Sequence, residues 1–362
     1  MASRRVVVTG VGVVSAAVTG DSAALGAYLA APRDAGPAGA AVTLPPATLA
    51  GLVDPTEGRR LSRVCQLTIA AARLALHESG VDPGLGLGLV VGTELGDLAS
   101  THAFADGFLE RGPSGLSALL FPNTVMNTMV ATTAIAIGAR EMALTLNAPT
   151  VAGELAVARA AAAVASGRVA AALAGGVDEL DPVVERELAG LGLHGDRRGE
   201  GAAFVMLESR ESAATRGATV LGEVTSAVSR TLPARPWGVN LRVTRSRAVG
   251  DALAAAGLTP ADVAWVYGSM SGDVARDRWE EQVLAAALAG GAPPVSSLAR
   301  LAGRHAGLGV LRVAAAAWTA RSGLLPAAGE PATAVRRVSA GRGLVHGLAR
   351  GGAHVALVMG AA

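Results

Sequence analysis

Lysine is absent: all 31 basic residues among the 362 are arginine, set against 29 acidic ones. That choice gives a pI near 9.3 at a net charge of only +2. No basic stripe of the kind nucleic acid requires stands out. A loose group at Arg230, Arg235, Arg242, Arg245 and Arg247 reads as a solvated loop or as a docking patch for an acidic partner. Cysteine occurs once, at Cys65, which excludes a disulfide framework and fits a reducing cytoplasm. It lies in SRVCQLTIAAARLALHESG, an amphipathic helical pattern, where a packed core thiol is the ordinary role. Aromatics make up 3% and charged residues 17%, while 51% of the chain is hydrophobic. A globular chain follows, with small aliphatic side chains filling closely packed helices and sheets. No apolar run is long enough for a membrane span. The N-terminal ASRRVVVTGVGVVSAAV mimics a signal peptide, but its β-branched residues and glycines suit a first buried strand, Arg5 to Thr9, and a turn at Gly10-Val11-Gly12. GVGVVS lacks the third glycine and the following acid of a dinucleotide loop. His102, His194 and His346 show no metal spacing, so neither metal nor cofactor is expected. Asp273, Asp277, Glu280 and Glu281 precede an alanine-rich helix and read as its N-terminal charges.

What the chain does have is LTLNAPTVAGELAVARAAAAVASGRVAAALAGGVDEL, from Leu144 to Leu180. It predicts a short strand, a sharp turn at Asn147-Ala148-Pro149-Thr150, a long helix buried on all sides, and a second strand ending at Gly175-Gly176. A helix N-terminus after such a turn stabilises an anion, but Thr150 at the apex is a poor nucleophile without a base. Elsewhere the pattern predicts helices over Arg63–Ser79, Leu98–Arg111 and 124–138, a strand over Gly88–Gly92, and a surface loop over 31–57. An internal echo then appears: GLVVGTE with AWVYGSM, AGELAVARAAAAVASG with AGLGVLRVAAAAWTARSG, and GEGAAFVMLES with GGAHVALVMG. Three matches in one order predict two similar halves, 1–210 and 211–362, in an α/β fold with helices between sheets.

RRVVVTGVGVVS, AALAGGVDEL, GEGAAFVMLES and the final Gly-Gly strand resemble the β-ketoacyl synthases of fatty acid and polyketide assembly. The resemblance implies the thiolase-like fold, a five-layer αβαβα of two similar halves, working as a dimer. An active member carries a cysteine at the helix apex and two histidines that stabilise the enolate formed on decarboxylation. By that resemblance the cysteine position falls on Thr150, the first histidine on Tyr267 and the second on Arg304, with His305 one place off. The upstream lysine aligns near Ala299, and the Gly-Phe-Gly-Gly gate becomes Ala349-Arg350-Gly351-Gly352. Loops around 194–199 and 230–245 are short for the family.

Losing every catalytic group together resembles the chain-length factor, the β subunit of type II polyketide ketosynthases. The resemblance implies a non-catalytic subunit, cytoplasmic, that pairs with a catalytic ketosynthase and meets an acyl carrier protein. Its tunnel gate falls on Leu98, Thr101 and Ala105, one face of a helix. Interface candidates are Met126, Met129, Leu144 and Leu146, within the segments 98–109, 124–133 and 142–147; core packing is the alternative for the methionines. Small gate residues and short loops point to a polyene-type system. Two other readings stay open: an independent decarboxylase or acyltransferase using Thr150 with His305, and a stand-alone acyl-binding homodimer.

Overall fold

The computed structural model describes residues 4–31, 41–191, 196–289, 291–327 and 335–362. The predicted loop at 31–57 falls partly outside them, as do His194 and Gly195 of the short loop at 194–199.

Ten strands form the body. They are β1 (Val6–Ser15), β2 (Leu87–Thr93), β3 (Ala143–Asn147), β4 (Ala171–Asp178), β5 (Gly201–Ser209), β6 (Gly222–Thr231), β7 (Val266–Tyr267), β8 (Val295–Ser296), β9 (Gly343–Leu348) and β10 (Ala353–Gly360). They follow one path, β3-β2-β4-β5-β1-β6-β10-β9-β7-β8. Counted within β1–β5 and within β6–β10, each set repeats the order third, second, fourth, fifth, first. The fifth strand of each set runs antiparallel to its neighbours, and the outer pairs are parallel. The two sets meet where β1 pairs with β6, from Val6↔Val224 to Val8↔Gly222.

Seven helices matter for the layers and the site: α1 (Arg63–Ser79), α2 (Leu98–Arg111), α3 (Thr128–Ile137), α4 (Ala152–Ala165), α5 (Arg247–Ala255), α6 (Val274–Ala287) and α7 (Ala306–Ser322). Helices α4 and α7 lie side by side and touch both half-sheets. Helix α1 covers the outer face of the first, and α5 with α6 that of the second. The result is the five-layer αβαβα arrangement. Strands buried on both faces read as unbroken apolar runs. In β5, Ala203, Val205 and Leu207 face the central helices, while Ala202, Phe204 and Met206 face α1.

The N-terminal glycines do a different job from the one expected. Instead of turning at Gly10-Val11-Gly12, the chain stays extended to Ser15, with a bulge between Val8 and Gly10. Both glycines lie flat against α1, where an added Cβ would sit 2.2 Å from the Ala75 carbonyl oxygen at Gly10 and 2.0 Å from that of Ala71 at Gly12. Close helix–strand packing therefore explains the motif. Helices α1 and α2 end at Gly80 and Gly112 as their patterns predict. Helix α3 begins later than its apolar pattern suggests, because 121–124 winds as a tighter turn around Pro122.

All-round burial is also redistributed. Of the residues in α7 only Trp318, Arg321 and Ser322 are not buried, whereas α4 turns Ala158, Arg159 and Ala162 toward solvent. The two helices are joined by an ion pair, Glu154 with Arg312, whose guanidinium also donates to the His346 carbonyl at 3.0 Å. Both side chains are fully buried, and Gly309 makes room for the carboxylate: a Cβ there would meet Glu154 Oε2 at 2.1 Å.

Candidate functional site

Strand β3 delivers the chain to a sharp turn. Asn147 Nδ2 donates to the carbonyls of Thr93, at 3.2 Å, and Glu94, at 2.9 Å. Three residues later Thr150 adopts φ 63°, a left-handed conformation that costs a β-branched residue energy. Helix α4 starts two residues further on. A strained elbow at a helix N-terminus is thus present, carrying a hydroxyl rather than a thiol.

Facing it is Arg304, set by Gly303 at φ 73° in a turn that packs on Gly199. Its guanidinium donates from Nε to Asp196 Oδ2 at 2.6 Å and forms an ion pair with Glu94. Burial alone would lower the Arg304 pKa, but Glu94 and Asp196 outweigh it and hold the cation firmly charged. Burial likewise opposes ionisation of Asp196, and Arg304 with Arg276 overcomes it. Asp196 also accepts from Ser271 Oγ, which Arg276 contacts at 2.7 Å. Asp273 and Arg350 close the rim, joined at 2.5 and 2.7 Å, with Trp237 above. The space left among these groups is ≈ 20 Å³, room for about one water.

Sequence reasoning missed the acidic half of this lock. Glu94 is placed by Asp178, which accepts from Thr93 Oγ1 at 2.7 Å, from the Glu94 N–H at 2.9 Å and from the Ala306 N–H at 2.7 Å. The last of these caps α7 and ties the halves at the cleft. Burial pushes the Asp178 carboxyl up, with Glu94 adding to it. The only sequence signal was an isolated acid at the end of a buried strand.

Thr150 and Arg304 come together, but Tyr267 does not join them. It lies in β7, fully buried beside Trp265, with its hydroxyl 2.8 Å from Thr319 Oγ1 on α7. Strand β7 is only two residues long, so the tyrosine falls inside the sheet rather than in the loop above it. Ser271, four residues on, is the group that reaches the cleft network. His305 is buried too, its ring wedged between Gly201 and Gly307, with both nitrogens lacking hydrogen-bond partners. Among the described residues no hydrogen bond joins Thr150 to an imidazole. The reading that pairs Thr150 with His305 therefore lacks its base.

Burial lowers the His305 pKa to about 4, while in the unfolded chain it titrates near 6.5. The native state thus binds fewer protons than the unfolded one between those values. Stability attributable to His305 is complete above pH 6.5 and erodes as pH falls toward 4, by up to about 1.4 kcal/mol per pH unit. In urea titrations across that window, His305→Phe should flatten the pH slope by close to one proton. An unaltered slope would mean that the ring is not buried neutral.

The gate residues share one face of α2. Leu98 and Thr101 are half-buried, Thr101 Oγ1 donates to the Asp97 carbonyl at 2.7 Å, and Ala105 is exposed. Leu144 and Leu146 are half-buried on β3, the sheet's outermost strand, whose far edge has no partner strand among the described residues. Met126 is 41% exposed, against Gly96. Met129, on α3, is 1% exposed and packs against α1. Around α2 and β3 lie apolar side chains that sequence reading did not single out, among them Leu109, Leu119 (88% exposed) and Ile135 (84%). Among the described residues no group of side chains could hold a metal, and no helix is long and apolar enough to cross a membrane.

The strand order and the layers define a fold of the thiolase-like class. More particularly, residues 46–213 match the model of the β-ketoacyl synthase N-terminal domain. The ishigamide ketosynthase/chain length factor superposes over 100% of both chains with a TM-score of 0.88 at 24% identity, a likeness of fold. The 3-oxoacyl-[acyl-carrier-protein] synthase 2 of Synechocystis is 24% identical over 269 residues, 65% of this chain and 63% of its own length. The ketoacyl synthase beta subunit of the tetracenomycin polyketide synthase of Streptomyces glaucescens is 38% identical over 130 residues, 35% of this chain and 31% of its own. The chain thus spans less than two thirds of the length of the Synechocystis and Streptomyces relatives.

Proposed function

We propose that this chain is a chain-length factor: a non-catalytic subunit that pairs with a catalytic ketosynthase in type II polyketide assembly and shapes the acyl tunnel between them. The observation that carries this reading is the closed cleft, where Thr150 replaces the nucleophile and Arg304, clamped by Glu94 and Asp196, fills the place of a histidine. The carbanion chemistry of condensation needs neutral imidazole donors beside a thiolate. A guanidinium locked by two carboxylates supplies neither. Similarity to a ketoacyl synthase beta subunit and to a ketosynthase/chain length factor structure supports the same assignment.

Partners follow from the exposed face. The free edge of β3 and the apolar residues of α2 and 116–135 offer an obligate-type surface, which should bury more than about 2,000 Å² against a catalytic ketosynthase. An acyl carrier protein brings the growing chain, as the name of the Synechocystis relative suggests. On the repeated strand order we further propose that the chain divides into halves at 1–210 and 211–362.

In this reading Leu98, Thr101 and Ala105 set how far the acyl chain extends. Ala105→Phe or Ala105→Trp should shorten the product of the reconstituted pair while leaving the pair assembled. Mass spectrometry of products checks it; an unchanged length distribution from both variants would remove Ala105 from the gate.

A further inference from the structure

The exposed stripe on α4 borders a groove of ≈ 460 Å³, within the usual size of small-molecule sites. Its floor is Ala158, Ala161, Ala162 and Ala165, and Val224 to Ala227 of β6 form the facing wall. Thr150 stands at the other end of α4, about 20 Å away along a 14-residue helix, so the groove is separate from the closed cleft.

Its polar groups gather at one end. Arg5 donates through Nε at 3.0 Å and through its terminal nitrogen to Glu223, which neutralises that carboxylate. Arg4 hydrogen-bonds through its backbone N–H to the Ala165 carbonyl at 3.0 Å, and its guanidinium lies over Gly167. It has no carboxylate partner among the described residues. Thr225 also lines the groove, but its Oγ1 is buried near Gly360 and is closed to a ligand there. Among the described residues no aromatic ring lines the groove, which leaves a nucleobase or aryl ligand nothing to stack on. The one carboxylate is already paired, which leaves a cation nothing to bind.

We infer that this groove binds an amphipathic anion, an aliphatic chain carrying a carboxylate head, with the head at Arg4 and the chain along the alanine floor. The site is independent of the role proposed above and can fail without affecting it. Titration calorimetry on the full chain with decanoate as probe tests it. Decanoate should bind saturably; Arg4→Glu should weaken it at least about tenfold, the order expected for a lost charge-assisted hydrogen bond. Ala162→Trp, at an exposed position, should abolish binding by filling the floor, with the unfolding midpoint unchanged. 1-Decanol and decylammonium should bind about tenfold more weakly than decanoate for the same reason. No saturable binding to the native chain, equal binding of the alcohol or the amine, or unchanged decanoate binding in both variants would overturn the inference.

Discussion

Arg312→Ala should destabilise the protein by about 3–5 kcal/mol, because it strands the Glu154 carboxylate in the central helix layer. Both partners are fully buried, and burial already pushes the Glu154 carboxyl above its ordinary range against the pull of Arg312. Without the guanidinium the carboxyl would protonate, which limits the loss but leaves a cavity and an unbonded polar group. Replacing both partners, Glu154→Leu with Arg312→Met, should recover most of the stability, since apolar replacement of a buried pair is often neutral or favourable. Gly309 is the complication: its missing side chain is fitted to the glutamate, so the leucine must pack differently there. A double-mutant cycle in urea checks the prediction. If the single variant lost under about 1 kcal/mol, the pair would be behaving as a solvated surface pair rather than a buried one.

Arg304→Ala should be comparably damaging, about 3–5 kcal/mol near neutral pH, as it leaves Glu94 and Asp196 facing one another without a shared cation. The deficit should shrink as pH falls toward about 4. There the unpaired carboxylates of the variant take up protons, while in the native protein Arg304 and Arg276 hold the Asp196 carboxyl below its ordinary range and keep it charged. Asp196 retains Ser271 and Arg276, and Glu94 retains Arg198 at 4.0 Å, so the loop should stay in place. The opened cleft should gain no condensing activity, because the elbow still carries Thr150. A pH-independent deficit would show that packing around the guanidinium, rather than its charge, closes the site.

The strands were legible because both their faces are buried, so Gly-led apolar runs such as GAAFVMLES mark them without ambiguity. The central helices were legible for the same reason, and their resemblance to each other reflects their shared place between the half-sheets. The site's place at the turns of Thr150 and Arg304 was legible through the family resemblance. Its closure was not. Glu94 and Asp196 lie 210 and 108 positions from Arg304, and neither sits in a pattern of its own. Gly10 and Gly12 misled because a glycine required by a neighbouring helix looks, in sequence, like one required by a turn. The exposure of Ile135 and Leu119 was equally unreadable, as an apolar residue at the surface has the same chemistry as one in the core. Met129 shows the reverse case.

Elongation of an acyl thioester, measured with this polypeptide alone and with the reconstituted pair, addresses the proposed role most directly. The polypeptide alone should extend nothing, and a pair carrying Thr150→Ala should turn over within about twofold of the unsubstituted pair, since a group outside the chemistry contributes none of the 10²–10⁴-fold usual for a positioned catalytic side chain. Turnover by the isolated chain, or collapse of the pair's kcat by about 100-fold or more on that substitution, would make Thr150 a working nucleophile and contradict the account.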